Sequence, residues 1–234
     1  MRFCAFVKRL VIFATAFLWL PLTGCATVYH AEAIEGWVVD AETGKPLEGV
    51  IIVAHWELKG GLEGGIPIAE LQILETVTDA NGRYFFPAWG PTVIPPTGYL
   101  GGDSPGLMLF KSGYRSRGFS NLYSETYGTS TFFYNKKTLK LERFRGTPAE
   151  YAEHLSSLSS SLEKVGYRVG YESGDWCGWK SFPRMLRALD KLEVEFRAAG
   201  VRQGTVVSFL KTNEARVREK GCGSVSELLN KIEK

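Results

Sequence analysis

The chain has 234 residues, 28 Lys+Arg against 25 Asp+Glu, and 44% hydrophobic residues. That length allows one large domain or one domain with a smaller companion. Residues 1–24 hold three of the basic residues (Arg2, Lys8 and Arg9) and none of the acidic ones, so residues 25–234 carry 25 charges of each sign. This balance excludes a basic nucleic-acid surface as the organising feature, and no nucleic acid is expected among the partners.

The first element in chain order is a basic start followed by "LVIFATAFLWLPL", Leu10 to Leu22, apolar apart from one Thr. A positive segment before an apolar run of this length is the layout of a secretory signal. It is short of the ~20 residues that a membrane-spanning helix needs. The run ends in "LTGC", Leu22 to Cys25.

These four residues resemble the bacterial lipobox without departure. The resemblance implies cleavage before Cys25 and acylation of its sulfur, which anchors the chain to a lipid bilayer. Two or three acyl chains, at ~0.8 kcal/mol for each buried CH₂, hold a protein at the membrane almost permanently. Ala26, where an Asp tends to retain lipoproteins at the inner membrane, points to the outer membrane, facing the periplasm. Cys25 to Glu32 then reads as a lipidated residue and a short tether.

Residues 33–145 read as strands and turns. "AIEGWVVD" and "VIIVAHW" flank the turn cluster "DAETGKPLEG". "LQILETVT" alternates, "DANG" is a tight-turn signal, and "RYFFPAW", "GLMLF" and "KTLKL" supply further strands. Short strands with polar turns and no helices between them indicate an antiparallel sandwich.

The same residues resemble the carboxypeptidase regulatory-like domain, a transthyretin-like Greek-key sandwich. Gly36, Val38 and Asp40 match its opening. Thr43, Gly44, Pro46, Leu47, Gly49 and Val50 match its first turn. Thr78, Asp79, Gly82 and Tyr84 match its hairpin, and Lys111, Gly113 and Tyr114 match a strand end. The match spans about residues 33–118 and consists of structural residues. Such domains typically carry no catalytic site of their own, so the resemblance implies a binding or structural module. The stretch Glu57 to Glu70 and the loop Gly90 to Pro105 depart from the short versions of the pattern and are where features particular to this protein are expected.

Residues 146–234 change period. Thr147, Pro148 and Glu150 form a capping box at a helix start. Ala152, Leu155, Leu158, Leu162 and Val165 then recur on one helical face. "SFPRMLRALDKLEVEFRAAG" repeats the design with Met185, Leu186, Leu189, Leu192 and Phe196 inward. "TVVSFLKTNEARVREKG" is read as helix, and Ser224 with Glu227 as a second capping box. The whole is α+β, a β-sandwich followed by a helical region.

Chemistry-bearing patterns are sparse. Cys177 and Cys222 remain after processing, and in an oxidising compartment the pair reads as a disulfide. Two thiols and three scattered His (His30, His55, His154) make no metal site, and no cofactor is expected. There is no Gly-x-Ser-x-Gly elbow and no phosphate loop. Trp176 and Trp179 flank Cys177 in "GDWCGW" and have two readings: cover for the disulfide, or a platform for a sugar or peptide. The function expected is a membrane-anchored, non-catalytic adaptor for a protein or envelope component. The alternative is a carbohydrate- or peptide-binding module.

Overall fold

A computed structural model describes residues 27–61, 65–121, 132–166 and 176–231. Cys25 and the signal segment lie outside the described residues. The strands are β1 (Thr27–Ala31), β2 (Ile34–Asp40), β3 (Ile51–Gly60), β4 (Ile66–Val77), β5 (Arg83–Phe86), β6 (Trp89–Ile94), β7 (Gly98–Leu100), β8 (Gly106–Phe110), β9 (Arg117–Ser120) and β10 (Lys137–Leu141). The helices are α1 (Pro148–His154), α2 (Ser156–Gly166), α3 (Pro183–Ala198), α4 (Val206–Thr212), α5 (Glu214–Glu219) and α6 (Val225–Lys231), with a 3₁₀ turn at Gly178–Ser181.

The strands form a sheet β10-β2-β5, a larger sheet β4-β3-β8-β9 with β7 also on β3, and a separate ribbon β1-β6. Pairings are antiparallel except β10 with β2, which is parallel, Leu139 opposite Val38. The sequence alone suggested antiparallel pairing throughout. The exception arises because β10 returns along the sheet edge beside the first strand of that sheet.

Two apolar cores share the larger sheet. Val38, Val50, Ile52, Trp56, Tyr84, Phe86, Leu107, Leu109 and Leu141 fill the space between the sheets. On the opposite face Val53, Ile73, Met108 and Phe110 pack against the helical layer, including Phe182, Leu186, Leu189 and Val207. The apolar run "VIIVAHW" therefore lacks strict alternation because Ile52 and Val53, adjacent in sequence, serve different cores. The layers run sheet, sheet, helices, and none of the described helices covers the outer face of β10-β2-β5.

The helical stripes behave as their spacing predicts. Ala152, Leu155, Leu158, Leu162, Val165, Met185, Leu186, Leu189, Leu192 and Phe196 are all buried in the helix-side core. The Thr147–Glu150 capping box is present. Ser224 accepts from the Glu227 N–H at 3.2 Å. The Ser224 hydroxyl itself donates to the Glu214 carboxylate, which also accepts from the Ser226 hydroxyl. "TVVSFLKTNEARVREKG" is helical in two pieces, α4 and α5.

Two segments differ from expectation. The tether is shorter than expected, because Thr27–Ala31 is a strand. It pairs with β6, Val28 opposite Val93. The Gly90–Pro105 stretch is not a plain loop: β6 and β7 lie within it. Pro91 is tolerated because β6 is a ribbon strand with one free edge.

Candidate functional site

The residues that carry the family resemblance converge at one end of the sandwich, around Asp40. Its buried carboxylate accepts from the Glu42 and Thr43 N–H groups at 3.0 Å, the Tyr114 hydroxyl at 2.9 Å and Arg143 Nε at 2.9 Å. The Thr43 N–H is the largest influence, followed by burial acting in the opposite sense. Together with Tyr114, Glu42 and Arg143 it holds Asp40 well below the usual carboxylate range. Thr78 Oγ1 donates to the Leu47 carbonyl at 2.6 Å and accepts from the Val50 N–H at 2.8 Å. Lys111 Nζ donates to the Glu48 carbonyl at 2.8 Å. Gly36 is required by space, since a Cβ there would lie 2.7 Å from the Lys137 carbonyl oxygen. This hub ties four turns together and leaves its carboxylate fully engaged, which is a structural role.

The Trp–Cys loop is also structural in its geometry. Cys177 and Cys222 are bonded, with Cα atoms 5.1 Å apart. Trp179 is 0% exposed and belongs to the helix-side core, so it offers no surface to a ligand. Gly178 packs so closely on Val165 and Ile73 that a Cβ would meet the Val165 carbonyl at 2.8 Å. Trp176 is half-buried, and its ring is engaged by Arg216 and Lys220 at 4.9 and 4.8 Å. The two-ring platform considered from sequence is not assembled. One ring is core, and the other is half-buried against the helix-side core with two cations over its face.

Of the histidines, His55 is paired with Glu70 at 3.2 Å, and His154 stands 3.4 Å from the Ser116 hydroxyl. Burial, helped by Arg115, pushes the His154 imidazole down. Among the described residues no group of three or more His, Cys, Asp or Glu is placed to hold a metal. A cavity of about 10 Å³ beside Trp56 and Phe132 has room for one water. A shallow depression of about 420 Å³ is bordered by Arg197, Arg202 and Ser208. Its carboxylate, Glu193, is consumed in capping α4: it accepts from the Thr205 N–H and hydroxyl at 2.6 Å and the Ser208 hydroxyl at 2.7 Å.

The remaining candidate is the outer face of β10-β2-β5, over which no described helix lies. Val38 and Leu139 point into the sandwich, so alternation turns Trp37, Val39, Thr138 and Lys140 outward. Trp37 lies at the centre, between Thr138 of β10 and Arg83 of β5. Phe85 beside it is exposed, opposite Glu35, which forms an ion pair with Arg83 at 2.8 Å. Charged groups thus surround a part-exposed indole on a rigid sheet. Trp37 is one of five Trp residues after Cys25, and residue type alone does not set it apart from the others. Its alternation with buried Gly36 and Val38 was the available signal.

No protein-family model matches the chain, and no curated protein matches it in sequence. Among solved structures, 3-chlorocatechol 1,2-dioxygenase from Rhodococcus opacus 1CP is similar over 53% of this chain and 64% of its own, at 18% identity and a TM-score of 0.32. A streptococcal ancillary pilin is similar over 52% of this chain and 31% of its own, at 14% identity and a TM-score of 0.25. The minor pilin of Streptococcus agalactiae is similar over 50% and 47%, at 19% identity and a TM-score of 0.22. The chain spans less than two thirds of the length of each of these proteins. No functional conclusion rests on likenesses this loose.

Proposed function

We propose that this protein is a lipid-anchored component of the bacterial cell envelope, acylated at Cys25 and facing the periplasm from the outer membrane. In this reading it acts as a non-catalytic adaptor that binds an envelope protein. The sandwich is read as a carboxypeptidase regulatory-like domain of transthyretin-like Greek-key topology. Support for that comes from the way Asp40, Leu47, Thr78, Lys111 and Tyr114, separated in sequence, meet in one hydrogen-bonded hub. Support for the anchor comes from "LTGC" at the end of the apolar run.

The observation that carries the adaptor reading is the β10-β2-β5 face, which no helix covers among the described residues. Helices bury the outer face of the other sheet, whereas this face presents Trp37 and Phe85 with Arg83 and Lys140 around them. Part-exposed aromatics in a charged rim are the anchors that protein interfaces use. A photo-crosslinking residue in place of Trp37, in intact cells, tests it. A discrete adduct with one envelope protein is expected. Absence of any adduct there, with the protein folded and membrane-bound, overturns it. The alternative, a carbohydrate- or peptide-binding module, is read from Trp176 and Trp179; with Trp179 buried, Trp176 is the ring left to support it. A peptidoglycan pull-down that retains the wild type but not Trp176→Ala would restore it.

A further inference from the structure

The two segments that depart from the family pattern, Glu57–Glu70 and Gly90–Pro105, meet at one end of the molecule. The β3–β4 hairpin places Gly60 opposite Ile66. On the other side of β3, Gly60 faces Gly98 and Lys59 faces Tyr99 of β7. The turn from β6 to β7, closed by the Gly98 N–H donating to the Pro95 carbonyl at 2.9 Å, brings the end of β6 to the same place. There Ile94 pairs with Thr27, the start of β1. The end of the sandwich that holds the Asp40 hub is the opposite one.

Among the described residues, four large apolar side chains are exposed at this end. Val28 and Val93 are cross-strand partners, 48% and 58% exposed. Ile66 and Tyr99 are each 46% exposed. The nearby cation among the described residues, Lys59, is paired with Asp103 at 2.7 Å. Along β1 the outward positions change character within a few residues, from Val28 to His30 and then to Glu32 beyond the strand. The exposed apolar side chain thus lies nearer Cys25 in the chain and the ionisable ones further along, the arrangement expected if they lay in two environments.

The chain's path identifies those environments. Cys25 precedes Thr27 by two residues, a reach of roughly 7 Å even if fully extended. That is comparable to the 5–10 Å depth to which interfacial segments enter the headgroup and acyl boundary. An anchor this short cannot hold the tip clear of the bilayer. We propose that the Val28–Val93 pair, flanked by Ile66 and Tyr99, is a membrane-contacting surface. It seats the β1-β6 ribbon in the lipid headgroup region and directs the Asp40 end of the sandwich away from the bilayer. This rests on the acylation of Cys25.

The lipidated form offers a simple probe. Acylation blocks Cys25, and Cys177 and Cys222 are bonded to each other, so a cysteine introduced at an exposed site is the one free thiol. Val93→Cys, Tyr99→Cys and, as a control on α3, Val194→Cys are labelled with nitrobenzoxadiazole. Each protein is placed in phosphatidylethanolamine–phosphatidylglycerol vesicles containing nitroxide lipids. Blue-shifted emission and several-fold stronger quenching at 93 and 99 than at 194 are expected. Equal quenching at all three positions in vesicle-bound protein overturns the proposal.

The anchor is scored separately, by palmitate uptake and its loss in Cys25→Ser. Should there be no uptake, residues 25–234 with Cys25→Ser, held on nickel-chelating lipids through a hexahistidine segment in place of residues 1–24, give the same fluorescence reading. Failure of the anchor and failure of the tip are then distinct results.

Discussion

Asp40 shows how a residue from a sequence pattern becomes a physical constraint. It is the last residue of β2, and its side chain replaces the backbone partners that the following turn lacks. The Thr43 N–H, the Tyr114 hydroxyl and Arg143 favour its charged form more than burial opposes it, so its pKa is depressed. A carboxylate depressed in the folded state contributes stability that is present above its unfolded value, ~3.9, and is lost as the pH falls. Asp40→Asn is therefore expected to lower the urea midpoint at neutral pH and to flatten the acid limb of stability below about pH 5. Parallel acid limbs for variant and wild type would show that Asp40 is not the group responsible. Tyr114→Phe deletes one donor to the same carboxylate. Hydrogen bonds to charged groups contribute about 1.5–3 kcal/mol, so chemical denaturation should report a loss of that order.

At the scale of elements, the helical layer is fastened to the sandwich by polar as well as apolar means. The first turn of α3 has no side-chain cap of its own, since Phe182 stands at the N-cap. Glu75 of β4 supplies it from the sheet, accepting from the N–H groups of Arg184 at 3.0 Å and Met185 at 2.7 Å. Burial pushes the Glu75 carboxyl up despite these bonds. Glu75→Ala is expected to cost about 1–2 kcal/mol, as lost caps do. Glu75→Gln, which keeps an acceptor without a buried charge, should cost less by the same denaturation assay. The disulfide is a further fastening, closing a loop with a sequence separation of 45. Replacing both cysteines with Ser is expected to remove about 3–4 kcal/mol, measurable as a lower midpoint that reductant no longer changes.

These fastenings mark what was legible beforehand. The helical stripes, the Thr147 cap and the Cys177–Cys222 pair could be read because each depends on local spacing or on a count. Glu75, Glu193 and Trp37 could not. Glu75 and Trp37 take their roles from the strand face on which they fall, and Glu193 from the helix start that happens to lie beside it. A one-residue change in register would exchange those strand faces. The β1 strand was hidden for a related reason: "TVYHA" is too short to declare itself without its partner β6.

For the whole molecule the question is whether sandwich and helices are separable, as the change of period near residue 146 suggests. The packing argues against it. Val53, Ile73, Met108 and Phe110 are buried only because helices cover that face of the sheet, and they belong to the same apolar cluster as Phe182, Leu186 and Leu189. Fully burying a side chain of this kind contributes about 1.5–3 kcal/mol. Uncovering four therefore removes a free energy of the same order as the total stability of a domain, about 5–15 kcal/mol. A chain ending at Arg145 is accordingly expected to bind a hydrophobic dye and aggregate. The full chain should unfold in one transition seen alike by circular dichroism and tryptophan fluorescence. A monomeric, cooperatively folded fragment ending at Arg145 would show instead that the helical layer is an independent addition. The uncovered β10-β2-β5 face would then lose its distinction, because the sandwich would tolerate two bare faces rather than one.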